Sequence, residues 1–416
     1  MNVLIKSATI VDPKSDFNNK TRDILVEKGV ISKIAARIPN PHNYRTIQLE
    51  NLHVSQGWFD SSVSFGEPGF EERETIANGL RTAALSGFTA VAVNPNTFPV
   101  TSTSSDVSFL KTKAGQSPVD LLPIGALTKN AKGESLAELY DMQNAGAVAF
   151  GDYQRSIAHP NLMKIALQYS ATFGGLICSF PQDDEIAGQG VMHEDETSTR
   201  LGLKGIPALA EELRIARDLY LLEYTKGKLH IPTISTAGAV DLIRDAKKRK
   251  LNVSCSVAVH NLTFTDEDLK EFDSNFKVTP PLRAQKDSKA LIAGLKDGTI
   301  DMVTTDHNPL DVEHKKLEFD HASNGTIGLE SAFGALNALL ATKSVVKYLT
   351  RGRERFGIEE ISINEGSKAN ITLFNPDLSY TFSKASILSK SKNSIFDTKA
   401  LKGKAYGVIC NNKVVL

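Results

Sequence analysis

The amino-acid sequence predicts an α/β fold: a TIM-type (β/α)8 barrel with a small β-sandwich domain built from both chain ends. Eight apolar, β-rich runs recur through the middle of the chain, and helical stretches separate them. Short strand-like segments occupy both termini. Alternating strands and helices are typical of parallel sheets, and eight such units form a barrel. We therefore predict a composite β domain from residues 1–55 and 360–416, and a barrel from residues 56–359.

The two terminal segments share one pattern of short strands joined by turn residues. VLIKSATIV has strand composition, and ILVEKGVISKIA contains two short strands hinged at Gly29. Near the other end, KANITLFNP and AYGVICNNKVVL have the same character, and Asn411 and Asn412 predict a hairpin turn between apolar runs. Because the ends are alike, we predict that they pair in one domain.

The predicted barrel strands are short apolar runs. In chain order they are GWFDSSVSF, FTAVAVNPN, VDLLPIGAL, GAVAFGD, GGLICSF, KLHIPTIS, NVSCSVAVH and IDMVTTDH. The first connecting helix is visible in ETIANGLRTAALSGF, where Ile76, Leu80 and Ala84 repeat every four residues and Gly87 supplies a stop. In a parallel barrel the chemistry lies where the strands end, so the last residues of each run are the functional candidates.

The composition argues against several classes of protein. Lys+Arg and Asp+Glu both number 48, so the formal net charge is zero and no nucleic-acid partner is expected. Zero net charge does not oppose self-association, so we expect a homo-oligomer. No run approaches the length of about 18 apolar residues that a membrane span needs. Three widely spaced cysteines and no recognisable signal peptide indicate a cytoplasmic protein without a disulfide framework.

The strand ends carry more hydroxyls than metal ligands. Ser62 and Ser64 lie two residues apart and point to the same side of the first strand, but a protonated hydroxyl is a poor zinc ligand. Four strand-end side chains do have metal-binding chemistry, namely Asp152, His260, Asp306 and His307. They could together hold one metal ion. We favour the alternative that they make hydrogen bonds inside the barrel mouth.

Other candidates have a structural and a functional interpretation. Asp306 could act as a general base, but we favour a structural acceptor for a hydroxyl or a backbone N–H. His230 is expected to pack in the interior with its hydrogen bonds satisfied, and Arg283 is expected to anchor a loop. Lys315 and Lys316 are expected to form a solvated face.

Several of these motifs together resemble the dihydroorotase family of the amidohydrolase superfamily. The motifs are GEPGFEERETIANGLRTAALSGFTAVAVNPNTFPV, GAVAFGD, LGLKGIPALAEE, NFKVTPPLRAQKDSKALIAGLKDGTIDMVTTDHNP with GTIGLE, and EGSKANITLFNP with SKNSIF. They extend over nearly the whole chain. The resemblance implies a barrel of the metal-dependent hydrolase kind, zinc as the cofactor, and hydrolysis of a cyclic amide in pyrimidine synthesis.

The same resemblance implies that the metal ligands have been replaced. The family's ligand positions fall on Ser62, Ser64, Phe180 and Thr233, where the family has histidine, and on Asp152, where a carboxylate is kept. Tyr153 follows that carboxylate. We therefore expect no metal here, and zinc only if the family activity survives.

The substrate pocket is changed in part. The resemblance assigns the family's general-base position to Asp306 and pocket positions to Asn96, His307 and Pro309. The arginine that holds the substrate carboxylate in the family falls on Gly66, and the histidine that follows the proline falls on Leu310. Loss of that arginine removes a bidentate charge pair.

These replacements predict a protein that keeps the fold without the family reaction. The leading hypothesis is a non-catalytic dihydroorotase-like protein that acts as a structural or regulatory partner of aspartate carbamoyltransferase. One alternative is a residual dihydroorotase, or another cyclic-amide hydrolase, with a nonstandard metal site. The other is a metabolite-binding module that uses Asn96 and His307.

Overall fold

Strands from both ends of the chain form one sheet in the computed structural model, which describes residues 1–269 and 272–416. These strands are β1 Asn2–Ile10, β2 Thr21–Glu27, β3 Val30–Ala35, β4 Arg45–Ile47, β5 His53–Gln56, β16 Ile371–Thr381, β17 Ala400–Cys410 and β18 Lys413–Val415. Their order is β18-β17-β16-β5-β1-β2-β3, with β4 beside β1. β5 pairs antiparallel with β16, with Ser55 opposite Thr372. The early and late parts of the chain are therefore directly hydrogen-bonded.

Tight turns of the predicted kind connect two of the strand pairs. Asn411 and Asn412 have φ values of 49° and 59° between β17 and β18, and Lys28 and Gly29 have 52° and 79° between β2 and β3. Two consecutive residues with positive φ give the turn twist that matches a hairpin, and asparagine and glycine accept this conformation most readily. The sequence therefore places both hairpins correctly.

A second sheet contains the eight strands that the sequence predicts in the middle of the chain. They are β6 Trp58–Val63, β7 Phe88–Val93, β8 Asp120–Gly125, β9 Ala149–Phe150, β10 Ile177–Cys178, β13 Leu229–Ile231, β14 Val253–Ala258 and β15 Met302–Thr304. Neighbours pair parallel and in chain order. The two edges also meet, because Val63 bridges His307 in parallel and the Ser64 N–H donates to the His307 carbonyl at 2.7 Å.

Helices follow the strands of this sheet. They are α1 Ile76–Leu85, α2 Ser104–Ala114, α3 Leu139–Ala145, α4 Pro160–Ala171, α5 Asp184–Ala187, α6 Glu196–Leu201, α7 Ala208–Thr225, α8 Ala237–Lys248, α9 Val259–Thr263, α10 Gln285–Asp297, α11 Val312–Lys315, α12 Leu329–Leu339 and α13 Thr342–Thr350. A two-stranded sheet of β11 Met192–His193 and β12 Gly205–Ile206 lies between α5 and α7. In the described parts of the chain, every helix is too short or too polar to cross a bilayer.

The first helix shows how the sequence sets these elements. Thr75 caps α1 by accepting a hydrogen bond from the Asn78 backbone N–H, which satisfies one of the free donors of the first turn. Ile76, Leu80 and Ala84 are buried against the sheet, as their spacing predicts. Gly87 follows the helix with a φ of 92°, so the chain can turn directly into β7.

An aromatic cluster joins the two sheets at the beginning of β6. The Trp58 ring lies 4.7 Å from Phe333, 5.6 Å from Phe374 and 6.0 Å from Phe88, measured between centroids. The indole N–H donates to the Ser55 hydroxyl at 3.0 Å, so its one polar atom is satisfied. The terminal sheet thus packs at the amino end of the first strand, away from the strand ends where function is expected.

Candidate functional site

A chain of hydrogen bonds links the ends of β6, β7 and β15. The Asn94 amide donates to the Ser62 hydroxyl at 3.0 Å and to the Ser64 hydroxyl at 3.3 Å. Ser62 donates onward to the Asp306 carboxylate at 2.8 Å, and Ser64 donates to the Asn96 side-chain oxygen at 3.0 Å. We call these five residues the strand-end cluster. Both serine hydroxyls are used as donors and as acceptors within it.

Asp306 is the acidic group of the strand-end cluster. Its φ of 46° is unusual for a residue other than glycine, and its side chain also contacts the Tyr153 hydroxyl and the Gln154 amide, each at 3.4 Å. Burial raises the pKa of Asp306 to about 7, because the charged form loses hydration, while the Ser62 hydrogen bond lowers it and the nearby Asp60 charge raises it. The carboxyl therefore titrates near neutral pH.

Asp60 lies deeper along the same strand and holds the first and eighth strands together. Its carboxylate accepts from the hydroxyls of Thr304 and Thr305 and, at 3.2 Å, from the Ser62 backbone N–H. Burial raises the pKa of Asp60 to about 6, although these hydrogen bonds act in the opposite direction. Asp60, Ser62 and Ser64 are spaced two residues apart along β6 and the residue after it, so the same period that indicates the two serines also indicates Asp60.

Asp152, the carboxylate that follows the fourth strand, is directed toward a neighbouring strand end. It accepts from the Thr128 backbone N–H at 3.0 Å and from the Thr128 hydroxyl. Burial raises the pKa of Asp152. Both of its oxygens are therefore engaged at the end of β8.

The two remaining positions at which the resemblance implies metal ligands are also buried. Phe180 is 4% exposed and offers only a hydrocarbon ring. Thr233 has a φ of 47°, and its backbone N–H donates to the Ser256 hydroxyl at 3.2 Å. His230, three residues earlier, contacts the hydroxyls of Ser254 and Ser256 at 2.9 and 3.2 Å, which agrees with the predicted packing role.

Two strand-end histidines remain neutral because they are buried. Burial lowers the pKa of His260 to about 3, and neither of its ring nitrogens has a hydrogen-bond partner among the described residues. Burial lowers the pKa of His307 to about 4. The backbone N–H groups of Gly328 and Leu329 donate to His307 Nδ1 at 3.2 and 3.4 Å, so its proton is on Nε2.

The loop after the first strand closes tightly around Gly66. The Gly66 N–H donates to the Glu74 carbonyl at 3.0 Å, and the Phe70 N–H donates back to the Gly66 carbonyl at 2.8 Å. A Cβ atom at residue 66 would lie only 1.8 Å from the Phe70 carbonyl oxygen. The position at which the resemblance implies a lost arginine therefore has no room for a side chain in this backbone.

The other pocket positions lie along the loop after β15. Pro309 and Leu310 are both buried. The Leu310 backbone N–H donates to the Asn393 side chain at 3.0 Å. Asn393 also donates to the Asn308 carbonyl at 3.0 Å. The segment near residue 393 thus fixes the loop that follows Asp306 and His307.

The expected solvated face at Lys315 and Lys316 is wrong for the first of the two lysines. Lys316 is exposed, but Lys315 is only 6% exposed. Its ammonium donates to the carbonyls of Ser323 and Gly325, both at 3.0 Å, and of Lys277 at 3.4 Å. Burial lowers the pKa of Lys315 to about 7. The carbonyls come from other loops, so no local sequence pattern around Lys315 predicts these contacts.

Arg283 is a buried anchor, as its predicted role requires. Its guanidinium donates to the Ser235 hydroxyl at 3.0 Å, to the Ile206 carbonyl at 2.7 Å and to the His193 ring at 3.1 Å. Glu211 lies 3.6 Å away and supplies the opposite charge. This arginine therefore ties β12 to the loops after the sixth and seventh strands.

A zinc centre needs several imidazole or carboxylate donors directed at one point. Of the five positions at which the resemblance implies ligands, only Asp152 has such a donor, and Thr128 occupies it. Within residues 1–269 and 272–416, no three His, Cys, Asp or Glu side chains form a group that could hold a metal ion. The residues at these positions do not fit a zinc centre.

Comparison with solved structures shows the fold. The L-hydantoinase (dihydropyrimidinase) from Arthrobacter aurescens matches with a TM-score of 0.85 and 24% identity, covering 100% of this chain and 97% of that one. The dihydropyrimidinase from Brevibacillus agri matches with a TM-score of 0.83 and 18% identity, covering 100% and 96%. The chain therefore has the fold of these two proteins over its whole length.

Comparison with sequences shows the family. The model of a family described as Dihydro-orotase-like matches residues 53–239. A dihydroorotase from Pelotomaculum thermopropionicum is 41% identical, and one from Acetivibrio thermocellus is 40% identical. Each match covers 100% of this chain and 99% of the relative. The resemblance inferred from the motifs is thereby confirmed, and the chain belongs to the dihydroorotase family.

Proposed function

We propose that this chain is a dihydroorotase-like protein of pyrimidine biosynthesis that does not catalyse the family reaction. We further propose that its eight-stranded sheet is a closed (β/α)8 barrel kept as a scaffold. The observation that carries the proposal is the strand-end cluster, in which Ser62 and Ser64 hydrogen-bond to their neighbours. A hydroxyl pair in this state offers neither an imidazole nor an unused carboxylate for metal binding.

The closed loop at Gly66 supports the same proposal from the substrate side. Recognition of a carboxylate commonly uses the planar, bidentate guanidinium of arginine. No side chain fits at residue 66 beside the Phe70 carbonyl. A ligand with a carboxylate would therefore meet neither a metal ion nor an arginine at these two positions.

Metal content and activity together test this proposal. The protein is purified without chelators, its zinc, manganese and iron are quantified, and dihydroorotate hydrolysis is followed at neutral pH. We expect metal well below one equivalent per chain and no turnover above background. One or more equivalents of metal with turnover that Asp306→Asn abolishes would contradict the proposal.

We propose aspartate carbamoyltransferase as the partner that this scaffold supports, and self-association as part of the same assembly. The formal net charge of zero does not oppose such assembly. The test is co-expression with the aspartate carbamoyltransferase of the same organism, followed by size-exclusion chromatography and activity measurement. We expect co-elution and a change in that enzyme's size or activity. Separate elution with unchanged activity would contradict the partnership.

A second candidate function is residual hydrolysis at Asp306. The observation that favours it is a buried carboxyl with a pKa of about 7, because a general base works best near the operating pH. Under this alternative, a cyclic amide would be hydrolysed with a rate that rises as Asp306 loses its proton. Asp306→Asn should then abolish turnover, whereas Asp60→Asn should change its pH dependence. No turnover in the parent protein excludes this candidate.

A further inference from the structure

A cavity of about 640 Å³ opens on the surface beside the loop after β15. It is separate from the strand-end cluster, none of whose residues lines it. Most of its wall comes from α11 with its flanking residues and from the segment between β16 and β17, and Glu72, Ser274 and Asn275 complete it. Lysines dominate these walls, namely Lys315, Lys316, Lys384, Lys390 and Lys392.

The two acidic residues of the cavity are already paired with other groups. Asp311 lies 3.4 Å from the Arg73 guanidinium and accepts from the His314 ring at 2.8 Å. Glu72 lies 3.7 Å from the same guanidinium. Arg73 therefore offsets one of the two carboxylates, and the four exposed lysines outnumber the other, which leaves the cavity with an excess of positive charge. The chain as a whole has no net charge, so this excess is a local property.

Most of the lysine charge is not cancelled by ion pairs. The ammonium groups of Lys390 and Lys392 donate to main-chain carbonyls, which carry no formal charge. Lys384 lies 3.7 Å from Asp397, an exposed pairing of the kind that contributes little. Lys316 has no acidic group within ion-pair distance among the described residues. Four exposed lysines can therefore turn toward a ligand.

The wall that carries Lys390 and Lys392 is fixed by the half-buried carboxylate of Glu330 and the buried carboxylate of Glu74. Glu330 accepts from the Ser389 backbone N–H at 3.0 Å, and Glu74 accepts from the Lys390 backbone N–H at 2.9 Å. On the far side of this segment, Asn393 binds the loop after β15. A fixed backbone lowers the entropy cost of ordering the lysines around a ligand.

We propose that this cavity binds a small phosphorylated metabolite. Its volume lies within the range of roughly 300–1,000 Å³ that is usual for small-molecule sites. Several lysines around one cavity match the charge of a di- or triphosphate better than that of a single carboxylate. Leu310 and Val312 supply apolar surface for the organic part of the ligand. This site is independent of the strand-end cluster and of the proposed loss of catalysis.

Calorimetric titration of the full-length protein with inorganic phosphate, pyrophosphate and ATP tests the site. We expect pyrophosphate and ATP to bind more tightly than phosphate, and binding to weaken as salt rises. The double variant Lys316→Glu/Lys384→Glu should weaken pyrophosphate binding by at least about tenfold. The neutral variant Lys316→Gln/Lys384→Gln should weaken it less. Both of the residues changed, Lys316 and Lys384, are exposed, so the melting temperature should not move.

A matched control reverses two exposed lysines that lie outside the cavity, Lys33→Glu/Lys343→Glu. It should leave the pyrophosphate affinity unchanged. Equal weakening by the control would overturn the proposal, because binding would then follow overall charge. Absence of binding at millimolar pyrophosphate and ATP would overturn it too. Binding of an acidic peptide in the cavity, without binding of pyrophosphate or ATP, would also overturn the proposal.

Discussion

The two ends of β6 are built for different purposes. At its beginning, Trp58 packs among aromatic rings that join the eight-stranded parallel sheet to the terminal sheet. At its other end, Ser62 and Ser64 belong to a polar hydrogen-bond chain. The packing that stabilises the fold and the polar candidate site thus lie at opposite ends of one strand. Substitutions at the polar end can therefore alter the candidate site without disturbing the packing that holds the fold together.

The largest expected effect follows from disrupting the apolar end of β6. Trp58 is fully buried, so Trp58→Ala should remove its packing and leave a cavity between the sheets. We expect a loss of about 3–5 kcal/mol in the free energy of unfolding, measured by urea denaturation. Tyr220→Ala is the control, because Tyr220 is 74% exposed and its loss should change stability by less than about 0.5 kcal/mol. Similar effects of both variants would contradict the role given to the cluster.

The next effect concerns the polar end and depends on pH. The folded-state pKa of Asp306 is raised to about 7, so the folded state binds a proton that the unfolded chain releases near its ordinary value of 3.8. Stability should therefore fall as pH rises from about 4 to about 7, by up to about 4 kcal/mol from this group. Above pH 7 the contribution should be constant.

Asp306→Asn keeps an acceptor for Ser62 and removes the titration. Unfolding at pH 5 and pH 8 should show a smaller decrease for this variant than for the parent protein. A remaining decrease is expected from Asp60, whose pKa is raised to about 6. Equal decreases in both proteins would show that Asp306 does not titrate in this range.

The smallest expected effect concerns Gly66, in the loop that follows the polar end of β6. Gly66→Ala introduces a Cβ that would lie 1.8 Å from the Phe70 carbonyl oxygen, so the loop must move. We expect a loss of about 1–3 kcal/mol, as for other overpacked sites, measured by thermal and urea unfolding. An alanine variant as stable as the parent protein would mean that the loop yields easily. An arginine at residue 66 could then be accommodated after all.

Much of the fold follows from local sequence. The eight apolar runs each give a strand, and Thr75 with its apolar repeat gives α1, because these signals act within one element. Contacts between distant segments leave no such local signal. Lys315 is surrounded by carbonyls from residues 277, 323 and 325. Nothing in the sequence around Lys315 predicts these contacts.

The candidate site shows the same difference between local signals, which the sequence contains, and contacts between distant residues, which it does not. The sequence identifies Ser62, Ser64 and Asp306 as strand-end residues, but not the direction in which each hydroxyl donates. Asp60 and Asn94 have no predicted role, although both are hydrogen-bond partners of Ser62 in the structure. The domain boundaries at residues 55–56 and 359–360, and the functional roles of the site residues, remain predictions.

The pairing of β5 with β16 has a consequence for synthesis on the ribosome. Ile371 pairs with Gln56, so a strand made early waits for more than 300 residues before its neighbour exists. Until then, the edge of β5 has unpaired backbone groups, and Trp58 lacks the Phe374 ring that partly covers it. A nascent chain with an unpaired strand edge and an uncovered aromatic ring is a natural client for chaperones. The terminal sheet is complete only when β16 and the strands after it have been made.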